Sequence, residues 1–352
     1  MKKGNFVKKI LLDGRLDRYK ANLHCHTVLS DGKKTPEQIK KDYLAHGYSI
    51  VAFTDHDKYY PHNDLTDDRF IALDGFDLEY YRTAWRGQTC HLCFIAKDPE
   101  NRALGYSEKE PPIFIKQLPE GGLDPEKGGE LYRVTCPGRK YSAEYINADI
   151  ARAKELGFYV TYNHPTWSLE SYPDYTAYKG MDAMEICNYG CVITGYGDIN
   201  PRAYEDLLRT DHRLFCISTD DNHNDLPDAD VGSDSYGGYT VIYTDRLDYP
   251  HVIRALENGS FCCCAGTVTG EKDCPEIREL WAEDGRVHIR TSPVRSIELE
   301  KDIRPFGLLT AKKGEAVTEA DFEIGTCKWF RFTLTGDNGC RTFTNAYFTD
   351  SL

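Results

Sequence analysis

The sequence predicts an α/β chain with an antiparallel β unit at its C-terminal end. Short apolar runs ending in polar, chemically capable residues alternate with helical patterns from about residue 20 to 265. Beyond about residue 266 the helical period stops, and alternating strands with Asp-Gly and Asn-Gly turns take over. At 352 residues the chain also exceeds the size at which one core stops growing, so a second, smaller unit is expected.

Residues 1–19 read as an N-terminal extension. Ala21-Asn22-Leu23 then leads into His24, and Ile50-Val51-Ala52-Phe53 into Thr54-Asp55-His56. Phe158-Tyr159-Val160-Thr161 leads into Asn163-His164, and Leu214-Phe215-Cys216-Ile217 into Asp220-Asp221; Met184-Glu185-Ile186-Cys187 is a further strand. The first helix has a readable start, with Thr35 as N-cap, Pro36 at N1 and Gln38 at N3, and Gly47 lies just past its end. Ser142 caps a second helix running through Leu156, Asn200-Pro201 opens a third through Leu208, and Tyr249 to Glu257 is a fourth. Residues 97–141 interrupt the alternation with six of the sixteen prolines, and read equally as a lid over an active site or a surface insertion. The main unit is therefore expected over 20–265 and the β unit over 266–352, where Asp284-Gly285 and Asp337-Asn338-Gly339 mark hairpins.

A formal charge of −13 without a Lys/Arg-rich block excludes generic binding to a nucleic-acid backbone. A small anionic substrate would need bound metals or a local cation, for which Arg139 and Lys140 are candidates. The thirteen cysteines are scattered, and Cys262-Cys263-Cys264 has no spaced partner set, so reduced thiols in a cytoplasmic protein are expected. No apolar stretch approaches the length of a membrane span, and no membrane association is expected.

Six of the eleven histidines stand in defined contexts: His24-Cys25-His26, Asp55-His56, His91, Asn163-His164-Pro165 and Asp221-Asn222-His223. Alternate residues of a strand share a face, so an H-x-H pair can reach one ion. One such pair alone is an ordinary way to leave a strand. Several, each ending an apolar run, point to a shared centre, because strand ends of a β/α barrel converge on one face. Imidazoles with carboxylates suit zinc, manganese or iron(II). Other readings stand beside this one: Ser30-Asp31-Gly32 is also a common turn, Glu79 precedes Tyr80-Tyr81 as a surface carboxylate would, and His91 sits in the apolar run His91-Leu92-Cys93-Phe94-Ile95. His46, His62, His212, His251 and His288 lie outside the motifs.

Together these motifs resemble the polymerase-and-histidinol-phosphatase (PHP) family over about residues 20–265. Asn22-Leu23-His24-Cys25-His26-Thr27 with Ser30-Asp31-Gly32 is similar to the family's first motif, and Phe53-Thr54-Asp55-His56-Asp57 to its second. Gly75-Phe76-Asp77-Leu78-Glu79 is similar to the third, His91 and Asn163-His164-Pro165 to the isolated histidines, and Asp221-Asn222-His223 to the last. The resemblance implies a distorted (β/α)7, TIM-like barrel with two or three divalent metals at its C-terminal face. It implies that His24, His26, Glu79 and Asp221 hold one metal, that Glu79 bridges to a second on His91 and His164, and that Asp31, His56 and His223 hold a third. Asp221 is preferred to Asp220 because Asp-x-His is the family spacing, leaving Asp55 and Asp220 to orient neighbouring imidazoles. The implied activity is hydrolysis of a phosphomonoester or phosphodiester by a hydroxide shared between metals, on a small phosphorylated substrate or short nucleotide. A carbamate or carboxyl-ester metallohydrolase is the alternative, and a non-catalytic scaffold a second one, against which the nearly complete ligand set argues.

Overall fold

The computed structural model describes residues 8–82, 87–101 and 139–352, so most of the expected insertion lies outside the described residues. The strands are β1 (Lys9–Leu12), β2 (Asp17–Asn22), β3 (Tyr48–Phe53), β4 (Ile71–Tyr81), β5 (Thr89–Ala96), β6 (Phe158–Asn163), β7 (Ala183–Asn188), β8 (Phe215–Thr219), β9 (Gly238–Thr244) and β10 (Phe261–Ala265). The C-terminal ones are β11 (Ile277–Glu283), β12 (Arg286–Val294), β13 (Ser296–Lys301), β14 (Gly307–Thr310), β15 (Val317–Glu323), β16 (Trp329–Thr335), β17 (Arg341–Thr344) and the two-residue β18 (Tyr347–Phe348). The helices are α1 (Pro36–Ala45), α2 (Ala143–Glu155), α3 (Tyr172–Tyr175), α4 (Tyr189–Ile193), α5 (Pro201–Arg209) and α6 (Tyr249–Glu257).

β2 through β8 pair in sequence order. The ring closes where Cys25 bridges Asn222 in parallel, with His26 N donating to Asn222 O at 3.1 Å and Asp221 N to His24 O at 3.0 Å. Seven strands thus form a barrel around an apolar core that includes Leu73, Leu78, Leu92, Val160 and Ile217. α1 starts as the sequence predicts, Thr35 and Gln38 forming a reciprocal capping box. The barrel departs from parallel pairing at one strand. β5 runs antiparallel to both β4 and β6, because the seven residues between Tyr81 and Thr89 are too few for the crossover that parallel strands require. Antiparallel pairing places Glu79 opposite His91 and brings the start of β5, rather than its end, to the barrel mouth.

On its other side β2 pairs antiparallel with β9, and the sheet continues through β10, β17, β16, β13 and β14. A separate four-stranded antiparallel sheet, in the order β1-β11-β12-β15, packs over this extension around Leu280, Val287, Ile297, Phe330 and Phe332. β1, from the N-terminal extension, is an outer strand of that sheet. The hairpin at Asp284-Gly285 forms as its sequence predicts, with both residues at positive φ. Every described cysteine is a free thiol, and among the described residues no helix is long and apolar enough to cross a membrane.

Where β8 hands over to β9, the backbones touch: a Cβ on Gly238 would lie 2.0 Å from Thr219 O. Gly238→Ala is expected to lower unfolding free energy by about 1–3 kcal/mol, the usual range for an over-packed core site. Urea denaturation followed by far-UV circular dichroism would measure it, and an unchanged midpoint would contradict the close approach.

Candidate metal centre

The loops that leave β2, β3, β6 and β8 deliver His24 and His26, His56, His164, and Asp221 with His223 to one end of the barrel, while Asp77 and His91 reach it from β4 and β5. Each delivery has a local cause. Asp55 accepts from Thr27 N (2.7 Å), Thr27 Oγ1 (2.9 Å) and Ser30 Oγ (2.7 Å), which folds the chain after His26 back so that Asp31 returns to the mouth. Gly32 permits that reversal, since a Cβ there would lie 2.5 Å from His26 O. Asp220 accepts from Tyr43 Oη and from the backbone N–H groups of Tyr236, Gly237 and Gly238, which fixes the turn carrying Asp221. Both carboxylates therefore shape loops. The expectation that they orient imidazoles is corrected: their partners are hydroxyls and backbone amides, because each is buried beneath the turn it holds. The carboxylate that does orient an imidazole is Glu185, in the apolar strand β7. It contacts His24 Nδ1 at 2.8 Å and accepts from His164 N at 2.9 Å and Thr219 Oγ1 at 2.6 Å. Nε2 of His24 is thereby turned into the centre.

There His24 Nε2 and His26 Nε2 face each other at 3.0 Å, and Asp221 Oδ1 lies 3.2 and 3.0 Å from them. Asp77 Oδ2 lies 3.0 Å from His56 Nδ1, 2.9 Å from His91 Nδ1 and 3.9 Å from His24 Nε2. Ligand atoms within 4.8 Å of one another form four overlapping sets: His26, Asp31, His56 and His223; His24, His164 and Asp221; His24, His26 and Asp77; His56, Asp77 and His91. Eight of the nine residues singled out in the sequence fall in these sets. Glu79 does not. It stands two residues nearer the strand end than Asp77 on the same face, with Oε1 3.1 Å from His91 Nε2 and accepting from Thr89 Oγ1 at 3.2 Å. Of the two acids on this strand, the one that lies in the sets is therefore Asp77. Its signal in the sequence, like that of Glu185, is an acidic residue inside an apolar strand, where only a paired charge is tolerated.

Electrostatics divide the cluster. Burial, with His56 and His223 beside it, lowers His26 to about 3, and burial next to His91 lowers His164 to about 4. Burial also opposes charge on His91, but Asp77 and Glu79 outweigh it and raise that imidazole to about 10. Asp77 and Asp221, which burial would push up, are instead held well below the carboxylate range by His91 and His56 in one case and by His24 and His26 in the other. Asp31 falls to about 2 because His26, His56 and His223 overcome its burial. Even so, Asp31 Oδ1, Asp77 Oδ1, Asp221 Oδ1 and His91 Nε2 are buried without a hydrogen-bond partner. Ion-pair contacts reach some of them, yet none has hydrogen-bond geometry. Orphaned carboxylate oxygens within reach of neutral imidazole nitrogens are the donor set of a divalent cation. His164 and Asp221 also hold positive φ, 28° and 51°, the kind of backbone strain that functional sites retain.

No protein-family model matches the sequence, and no curated protein matches it. The chain is similar to a solved two-domain protein containing a predicted PHP-like metal-dependent phosphoesterase from Bacteroides vulgatus ATCC 8482, with 16% identity over 99% of both chains and a TM-score of 0.45. It is also similar to an amidohydrolase from Chromobacterium violaceum, at 16% identity over 58% of this chain and 87% of that one, with a TM-score of 0.36. At such TM-scores the likenesses decide nothing about activity, and the case for a metal centre rests on the chain's own residues.

Two predictions follow the geometry. Asp77→Asn should lose bound metal, Glu185→Gln should weaken metal affinity by about 10–100-fold as loss of an imidazole's carboxylate partner does, and Glu79→Gln should keep the metal stoichiometry. Elemental analysis after dialysis against graded chelator checks all three. The second concerns Glu170, which closes the loop after His164 and accepts from the phenols of Tyr141, Tyr162 and Tyr178. Burial outweighs those donors and raises its carboxyl from 4.5 to about 7. Between these values the folded chain keeps a proton that the unfolded chain has lost, so this group's contribution to stability falls as pH rises from about 4.5 to about 7. Glu170→Gln should flatten that part of the stability profile, read as urea midpoints of variant and wild type across pH 4–8 in steps of about 0.5.

Proposed function

We propose that this protein is a metal-dependent hydrolase that cleaves phosphate esters at the His/Asp cluster. The observation that carries the proposal is the four overlapping sets of His and Asp ligand atoms at one end of the barrel, to which Asp31, Asp77 and Asp221 each bring a buried oxygen without a hydrogen-bond partner. Residues of the four sets would hold two or three divalent ions, with Asp77 and Asp221 each common to neighbouring imidazoles. When bound, such ions neutralise charge on phosphate oxygens and lower the pKa of water toward ~7.

The chain's own residues prepare the site for that chemistry. Glu185 and Ser168 fix the outward nitrogens of His24 and His164, the latter pair at 3.1 Å, so both rings present Nε2 inward. His26 and His164, held neutral by burial, are ready to donate lone pairs, whereas His91 must release a proton to do so, which makes loading pH-dependent. At the rim Arg139 pairs with Asp57 and lies over the Tyr80 ring at 5.6 Å, a positive group beside Glu79 where a phosphate would enter. An anionic substrate suits a net-acidic chain because bound cations are the largest local charges.

The test is metal content of the purified protein, with hydrolysis of a phosphomonoester, a phosphodiester and a carboxyl ester before and after chelation. Phosphate release that falls to background with chelator and returns on adding manganese or zinc is the expected outcome. Cleavage of the carboxyl ester alone would overturn the substrate class, and a protein that takes up no metal would overturn the reading entirely.

A further inference from the structure

Trp167 and Tyr196 stand at the edge of the centre in an arrangement that the metal chemistry does not use. The indole of Trp167 meets His91 edge-on at 5.3 Å and 81° and His164 at 5.1 Å and 80°. Tyr196, 48% exposed, lies 6.3 Å farther out at 61° to the indole. The two rings form a wall leading from the buried imidazoles to solvent.

The wall is built rather than incidental. Trp167 lies on the loop between His164 and Glu170, Tyr196 on the turn between α4 and α5, and these segments are pinned together. Trp167 N donates to Asp198 Oδ2 at 2.7 Å, and Thr166 Oγ1 donates to Asn200 Oδ1 at 2.7 Å. Asp198 is fully buried, so the acceptor of the first of these bonds is shielded from water. Gly195 and Gly197, at φ 96° and 65°, flank Tyr196 with open space around both, and the turn presents the phenol outward instead of folding it into the core. The Trp167 loop is anchored below by Glu170 and its three tyrosines. An exposed aromatic held so firmly beside a catalytic mouth has the character of a recognition surface.

We propose that Trp167 and Tyr196 form a stacking subsite for a planar aromatic group, an aryl ring or nucleobase, carried by the ester whose phosphate lies at the cluster; this rests on the phosphoesterase reading. Faces and edges of aromatic rings bind planar π-systems in preference to saturated ones of equal size, and stacking of one base on one side chain changes affinity by about fivefold or more.

Binding separates this subsite from leaving-group reactivity. Full-length protein reconstituted with manganese(II) is titrated calorimetrically with phenylphosphonate and cyclohexylphosphonate, and with adenosine 5′-monophosphate and ribose 5-phosphate. The wild type should bind the aromatic member of at least one pair about fivefold or more tightly; the pair that shows it distinguishes aryl ring from nucleobase. Tyr196→Ala, at an exposed turn, should bring that ratio toward one, Trp167→Ala should do so further, and Trp167→Phe should retain most of it. Binding of all four ligands without preference, or a preference unchanged in both alanine variants, overturns the subsite alone. No binding by any of them to the metal-loaded protein overturns the phosphate-ester reading and the subsite with it.

Discussion

Asp77 and Asp221 bury negative charge at a depth where it is stable only among positive or hydrogen-bonding partners, and the barrel is arranged around supplying them. Five imidazoles contact one or other carboxylate, brought by β2, β3, β5 and β6. Backbone contacts between the segments that carry these side chains close the ring of strands. Asp221 N donates to His24 O and Cys25 bridges Asn222, so the H-x-H and D-x-H segments are neighbours because the first and last barrel strands must meet. Barrel closure and assembly of the centre are one structural event. Imidazoles alone leave Asp77 Oδ1 and Asp221 Oδ1 without hydrogen bonds, and the interactions that remain to be made are those a cation makes.

The antiparallel strand β5 decides which acid is central. A regular β/α unit would bring a histidine to the mouth from the end of its strand. Here the β4-β5 hairpin brings His91 from the beginning, cross-strand from Glu79, with its Nδ1 turned toward Asp77. Glu79 then stands nearer the strand end, where Arg139 donates to its carbonyl oxygen, rather than among the sets. A Glu79 carboxylate paired to His91 Nε2 is also part of what raises that imidazole, so the rim tunes the ligand even though it lies outside the sets.

This geometry explains which features were legible in the sequence. Helix boundaries were, because caps are local chemistry: Thr35, Ser142 and Asp248 each accept from a backbone amide of the first turn. Most of the histidines were legible because they end apolar runs, whereas His91 opens one. Asp77 was not, since residues two apart on a strand share a face, and only the depth of the strand in the barrel distinguishes 77 from 79. Glu185 read as a strand residue and no more, its role depending on a partner 161 positions away. Asp55 and Asp220 were recognised as important neighbours but assigned the wrong partners, because hydroxyls and amides from distant turns leave no spacing to read. The pairing of β1 with β11, across most of the chain, was equally invisible to local patterns.

The C-terminal strands bear on the centre through shared backbone. β9 pairs with β2 on one side and β10 on the other, so the strand that carries the H-x-H segment is held from outside the barrel by the sheet that extends to β14. Asn345, just past β17, accepts from Cys216 N in β8 and donates to Gly259 O and Phe261 O. Buried Arg331 of β16 pairs with Glu205 on α5 and Glu300 on β13. Both barrel strands that meet at the closure, β2 and β8, are thus braced by the extension. That bracing is what a strained turn requires: Asp221 stays at positive φ because Asp220 is tied to the start of β9 and His24 O to Asp221 N, leaving the backbone no relaxed alternative. The β extension therefore contributes to the centre without placing a ligand in it, by fixing the register at which the first and last strands of the barrel meet.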